Sequence, residues 1–362
     1  MTVEPLFALL RSALWGVKFE EKLTSEDFLL VMALAEQQTV TGLVFNQLSD
    51  QNTGADRKVV LKYAGKLSKI QRRNQLANKE LLEFVNICHQ HSIENMVVKG
   101  QTLASLYPNP LLRASGDIDF LIKDDYEVCR PQIERAMNVK LPSKMVDKEI
   151  AFKWNNMLYE LHSNLIVFGS KKNRAYWKKL MDKEWNNTFF ADVEGTPVRT
   201  LSPTMNAAYL FFHLFFHLIR EGVALRQFCD WAVYLHTYKD EIDIDSLSAI
   251  LVQLDMVKAF RAFGNILVHD LGLPPSSFPL EITAEDMKWR NTILRDVIKG
   301  GNFGKLNHHT TSKYKFKIET LKLATRNSFR YYSLAPTEVR VIIPRLILLN
   351  LQLMGQRIIF KG

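Results

Sequence analysis

Cysteine is scarce in this chain and scattered: Cys88, Cys129 and Cys229 are the only three, with no C-x-x-C spacing. That pattern excludes a disulfide framework and a cysteine-based zinc site, and it points to a reduced cytoplasm. Long apolar runs are missing as well. The most apolar stretch, Ala207 to Ile219, carries His213 and His217 and is too short to span a bilayer. The N-terminus, Met1 to Trp15, has Glu4 and no basic start ahead of its apolar part, so it does not read as a signal peptide. Glycine signatures are equally thin. The cluster Gly300-Gly301-Asn302-Phe303-Gly304 follows no strand and is not a dinucleotide fingerprint. No internal repeat is evident.

What is present describes a globular protein. Hydrophobic residues make up 47% of 362, enough for a sizeable core and for two domains, or one domain with a large helical extension. The formal charge of +9 suits an anionic ligand such as a nucleotide, a nucleic acid or an acidic glycan, and says nothing about fold.

The chemistry concentrates between Asn95 and Phe120. Alternation over Asp117 to Ile122 predicts a β-strand. Asp117 and Asp119 then leave from one face while Ile118, Phe120 and Ile122 enter a core. By itself Asp-x-Asp is a common strand end or turn. Two carboxylates aimed at one spot nevertheless repel unless a cation lies between them, and hard oxygen donors suit Mg²⁺ held together with phosphates. A short strand from Met96 to Val98 precedes, breaking at Lys99-Gly100 before a helical stretch, Gln101 to Leu106, and the turn Tyr107-Pro108-Asn109-Pro110. Gly100 allows close approach of a phosphate, and the N–H groups of the next helix can receive an anion. Ile150 to Leu161 reads as a further strand, with Phe152, Trp154, Asn156, Leu158, Glu160 and His162 on one face. Glu160, at its end, supplies the third carboxylate that a two-metal site needs.

The succession Lys99-Gly100, helix, Tyr107-Pro108, Arg113, Gly116-Asp117-Ile118-Asp119, helix and Glu160-Leu161-His162 resembles the uncharacterised nucleotidyltransferase family of the polymerase-β-like nucleotidyltransferase superfamily. The likeness is specific between about residues 70 and 165. It implies an α+β fold: a small mixed β-sheet core at 91–201, N-terminal helices at 1–90 and a mostly helical C-terminal domain at 202–362. It also implies transfer of an NMP from an NTP to a hydroxyl-bearing acceptor, which could be a small molecule, glycan, protein or RNA. Asp117, Asp119 and Glu160 fall on the metal-binding and catalytic acids, with Mg²⁺ or Mn²⁺ as the ion. Lys99, Gly100, Gln101, Arg113 and Gly116 fall on the nucleotide side. One departure stands out: where many relatives have Gly-Ser, this chain has Gly100-Gln101, so the hydroxyl that would touch a phosphate is absent and Lys99 is the candidate to replace it.

Two other classes follow from particular features. The missing serine suggests a non-catalytic nucleotide-binding or regulatory protein on the same fold. The stretch Lys171 to Lys179, basic with Tyr176 and Trp177 interleaved, suggests an RNA-directed enzyme or RNA binder; a helix with one wet and one aromatic face is its plainer reading. Elsewhere, Ser25 is expected to cap a helix reaching Ala35, and Val59 to Gln90 to form a long one whose Arg72 and Arg73 lie on a solvated face. Phe189–Val193 and Val198–Thr200 are expected to pair as a hairpin through Glu194-Gly195. His213 and His217 share a helix face without the glutamate of a zinc protease signature, which favours two pocket-lining histidines over a metal pair.

Overall fold

The computed structural model describes residues 3–49, 51–145, 149–301 and 313–359; most of the Gly300–Gly304 cluster and the last residues of the tail lie outside that description. The fold is α+β. In chain order come α1 (Glu4–Trp15), α2 (Ser25–Gln37), α3 (Thr41–Phe45), α4 (Arg57–Gln90), β1 (Asn95–Val98), α5 (Gly100–Ala104), β2 (Ile118–Ile122) and α6 (Tyr126–Met137). They are followed by β3 (Glu149–Trp154), β4 (Met157–His162), α7 (Lys171–Glu184), β5 (Phe189–Val193) and β6 (Thr196–Thr200). The remainder is helical: α8 (Pro203–Arg220), α9 (Leu225–Thr237), α10 (Ile244–Gln253), α11 (Val257–His269), α12 (Ala284–Gly300), α13 (Lys313–Arg330) and α14 (Pro336–Ile359). No described helix is long and apolar enough to cross a membrane.

The chain forms two compact units, one of residues 1–35, 40–167 and 180–206, the other of residues 36–39, 168–179 and 207–362. The first holds the sheet, in the order β1-β2-β4-β3. β1 is antiparallel to β2, β2 parallel to β4, and β3 antiparallel to β4. A parallel pair cannot be closed by a tight turn, and α6 with β3 supplies the connection between β2 and β4.

One face of this sheet is sealed by α4. Its buried Ala77, Leu81, Phe84 and Cys88 recur at helical spacing and so line a single stripe. Phe84 packs on Phe120 of β2 at 4.6 Å and on Tyr159 of β4 at 5.5 Å between ring centroids. Ile133 and Met137 of α6 join the same cluster. The neighbouring stripe of α4 is polar. Asn74 donates to the carbonyls of Leu111 and Arg113 at 2.9 and 2.7 Å, and Arg73 to those of Gly116 and Asn156 at 3.3 Å each. Arg73, expected on a solvated face, thus fastens the loop that leads into β2.

Three local expectations change. Ile150 to Leu161 is not one strand but a hairpin: Asn155, at φ 48°, reverses the chain between Trp154 and Met157. Phe152 therefore faces Tyr159, their rings stacked 5.7 Å apart on the core side, and does not share a face with Glu160. The cap of α2 is Thr24 rather than Ser25, its hydroxyl accepting from the Asp27 N–H at 3.1 Å. In the second strand pair, β5 and β6 join through Glu194 (φ 52°) and Gly195 (φ 79°), as the sequence indicates, and β6 begins two residues earlier, at Thr196.

The second unit is a helical array with an aromatic centre. Phe211 of α8 meets Trp231 of α9 and Phe260 of α11 at 5.5 and 5.0 Å. Trp177 of α7 is buried against Phe168 and Phe212. Of the two aromatics in the basic 171–179 stretch, Trp177 is consequently core and Tyr176 is half-buried. Glu338 of α14 is fully buried and accepts hydrogen bonds from the Gly169 N–H at 2.5 Å and Asn173 Nδ2 at 2.7 Å. Its carboxyl thereby caps the start of α7, where the helix dipole favours negative charge. A Cβ at Gly169 would lie 3.3 Å from that carboxylate, so the close approach calls for glycine.

Candidate active site

The site is built on the sheet face opposite α4. Residue pairing sets Asp119 beside Val98 of β1 on one side and beside Glu160 of β4 on the other. Two residues along, His162 is paired with Leu121 of β2 and Glu149 of β3. Because side chains alternate along a strand, Asp119, Glu160, His162 and Glu149 all leave the same face while Ile118, Phe120, Tyr159 and Leu161 enter the core behind them. The Glu160 carboxyl thus lies on the same side of the sheet as Asp119, as the three-acid reading demands.

Distances confirm a tight group. His162 Nε2 lies 2.8 Å from Asp119 Oδ1 and 3.8 Å from Glu160 Oε2, and His162 Nδ1 lies 3.4 Å from Glu149 Oε2. Ligand atoms of Asp119, Glu160 and His162 all fall within 4.8 Å of one another, a set able to hold a metal ion. Lys99 adds a cation, its Nζ 3.0 Å from Asp119 Oδ1.

Electrostatics follow from this crowding. Burial opposes ionisation of Asp119, but the Lys99 ammonium and the hydrogen bond with His162 outweigh it and hold the carboxyl well below the usual carboxylate range. Glu160 behaves in the opposite sense. Burial first, then the charges of Asp117, Asp119 and Glu149, push its carboxyl up to about 7 against the pull of Lys99.

The remaining sequence-predicted residues land as follows. Asp117 immediately precedes β2 and stands outside the close group, within reach of Glu160 through its charge. Lys99 has φ 57° and ψ −142°, a backbone region that side-chain-bearing residues seldom enter, and Gly100 follows at φ 48°. The double left-handed step turns the chain sharply from β1 into α5, and the Thr102 N–H and hydroxyl both donate to the Lys99 carbonyl, at 3.1 and 2.7 Å. Gln101 is buried, and its side-chain amide donates to Asn78 Oδ1, whose own Nδ2 donates to Glu194 at 2.6 Å. That side chain anchors α5 to α4 and β5–β6. Arg113 is buried with its carbonyl held by Asn74, and Gly116 is exposed with its carbonyl held by Arg73.

His162 and Glu149 are the residues that sequence reasoning left without a role. The Glu-x-His spacing at the end of β4 was a signal for His162, since i and i+2 of a strand share a face. Glu149 had none, because only the Asn155 turn brings it beside His162. The rings of His213 and His217 of α8 lie 4.3 Å apart between centroids, tilted by 57°, and belong to no three-residue ligand group among the described residues.

Fold and site together define a class: a small mixed-sheet α+β protein whose free face gathers carboxylates and an imidazole able to seat a divalent cation. The chain belongs to the uncharacterised nucleotidyltransferase family, whose model matches residues 24–270, and this membership supports a role in nucleotidyl transfer. Comparisons with curated proteins and with solved structures found no match.

Proposed function

We propose that the protein is a divalent-metal-dependent nucleotidyltransferase that moves an NMP from an NTP to a hydroxyl-bearing acceptor. The observation that carries the reading is the pairing of Asp119 with Glu160 on adjacent parallel strands, with His162 closing the group. The donor set fits an ion such as Mg²⁺ or Mn²⁺: two carboxylates and an imidazole converge, and the Glu160 carboxyl is raised first by burial and then by neighbouring negative charge, the part a cation would relieve. When bound, the ion would supply Lewis acidity toward the phosphates and acidify the acceptor hydroxyl.

The chain's own residues do the rest. Asp119, Glu160 and His162 would hold the ion, and Asp117, at the mouth of β2, adds the second aspartate of the pair. Glu149 sets a negative charge 3.4 Å from the far nitrogen of His162. A carboxylate has two oxygens, so Glu160 can hold the ion through one and take the acceptor's hydroxyl proton at the other. Lys99 supplies the positive charge for the phosphates that a Gly-Ser step would otherwise meet with a hydroxyl. The test is transfer of label from α-³²P NTP, with Mn²⁺ or Mg²⁺, to candidate acceptors and to the protein itself. Asp119→Ala and Asp117→Ala should each abolish transfer in a folded protein; an unchanged rate in either variant would end the proposal for that residue.

A second reading rests on Lys99. Its ammonium already neutralises Asp119, as an ion would, which suits a nucleotide-binding protein without turnover. Calorimetry separates the two: NTP binding indifferent to Mg²⁺, with no product on any acceptor, favours the second, and metal-dependent binding favours the first.

A further inference from the structure

The second unit contains a cavity of about 270 Å³ that the activity argued above does not use. Its charged lining comes from two helices: Arg295, Asp296 and Lys299 of α12, and Arg326 and Arg330 of α13. All five lie beyond residue 270, outside the part of the chain that the family model matches.

Four cations face one carboxylate, and that carboxylate is committed. Asp296 accepts from Arg330 and, at 2.7 Å, from the Tyr331 hydroxyl. Among the described residues no carboxylate lies within ion-pair distance of Arg295, Lys299 or Arg326. Arg326 donates to Asn327 Oδ1 at 3.3 Å through both Nε and a terminal nitrogen, while Asn327 Nδ2 donates to the Leu218 carbonyl at 2.8 Å. The buried asparagine thus ties α13 to α8 and holds the guanidinium along the cavity wall. A basic residue in the last turn of a helix is ordinary, since it meets the negative end of the dipole. That accounts for Lys299, but not for Arg295 a turn earlier nor for Arg326 on another helix.

Like charges gathered around a concavity repel one another and are stabilised by an anion that they share. Arginine forks match phosphate oxygens in geometry, and a lysine adds a point charge. Leu218 and Leu323, also in the lining, give the carbon part of an ester somewhere apolar to lie. The volume is ample for one phosphoryl group with a few carbons. We propose that this cavity binds the phosphoryl group of a small phosphomonoester, gripped by Arg295, Lys299 and Arg326.

The test uses the full chain in chloride buffer without divalent ions, with inorganic phosphate and glycerol 3-phosphate as probes in equilibrium dialysis. Both probes should bind and compete, glycerol 3-phosphate at least as tightly. Arg326→Ala and Lys299→Ala should each weaken binding about tenfold or more, the expected loss of one charge-assisted contact. Lys172→Ala, which removes an exposed charge from α7, should change it less than about twofold. Arg326 and Lys299 are exposed, so thermal midpoints within about 2 °C of wild type are expected; should one variant be unstable, Arg295→Ala takes its place. Absence of phosphate binding at millimolar concentration, or binding that all of these variants leave intact, would overturn the proposal. So would preferential binding of a single-stranded oligonucleotide that Arg326→Ala and Lys299→Ala abolish, because the cavity would then belong to a polymer-binding surface.

Discussion

Asp119 is buried, and its charge is tolerated there because Lys99 and His162 stand against it. Removing one partner of such a group is costlier than the pair itself is stabilising, since the remaining charge is left in a poor dielectric. Lys99→Met should therefore lower stability by roughly 3 kcal/mol in urea titrations, and Mn²⁺ should restore a larger share of it than Mn²⁺ adds to the wild type. The resemblance set Lys99 beside phosphates and not against Asp119, while strand periodicity made Asp119 and Glu160 legible as strand-borne carboxylates. Gln101 was not. Its neighbour on the sequence motif suggested phosphate, yet the amide reaches Asn78, a contact between residues 23 apart that no local pattern encodes.

The β3–β4 hairpin depends on Asn155 at φ 48°, a conformation asparagine accepts far better than most residues do. Asn155→Ala should cost about 1 kcal/mol, and Asn155→Gly should be neutral within a few tenths, both readable from chemical denaturation midpoints. An Asn-Asn pair between two apolar alternations was the available turn signal, and the unbroken alternation on either side of it concealed the reversal. The long helix α4 was plain in the sequence as a helical pattern rich in Lys, Arg, Gln, Leu and Asn. That it seals the sheet from behind was not, because Phe84, Phe120 and Tyr159 meet only once the sheet is assembled. Truncating the centre of that contact, Phe84→Ala, should cost about 3–5 kcal/mol and reduce yield of folded protein while leaving the side chains of the candidate site themselves untouched.

Two titrations report on the molecule entire. A ligand bound only by the folded state adds stability by mass action, so Mn²⁺ at about a hundred times its Kd should add about 2.7 kcal/mol to the wild type and nothing to Asp119→Asn. The second concerns Glu338. Burial raises its carboxyl above the ordinary range, more than the hydrogen bonds from Gly169, Asn173 and Ser170 lower it. The fold keeps this proton longer than the unfolded chain does. Its contribution to stability is accordingly full below about pH 4, where both states are protonated, and is lost as pH climbs toward the folded value. Glu338→Gln should flatten that part of the melting-temperature profile relative to wild type; identical slopes would contradict it. The α+β class and the family were legible in the order of elements around the aspartates. The compact units were less so, since residues 36–39 and 168–179 group with the helices of 207–362 through contacts remote in sequence.

Because β2 and β4 run in the same direction, the two carboxylates that lie side by side are separated along the chain by an entire helix and strand. No stretch of polypeptide ending before Met157 holds both. The group proposed to seat an ion therefore needs β4 paired between β2 and β3, and a chain that ends short of that strand carries Lys99 and both aspartates without it.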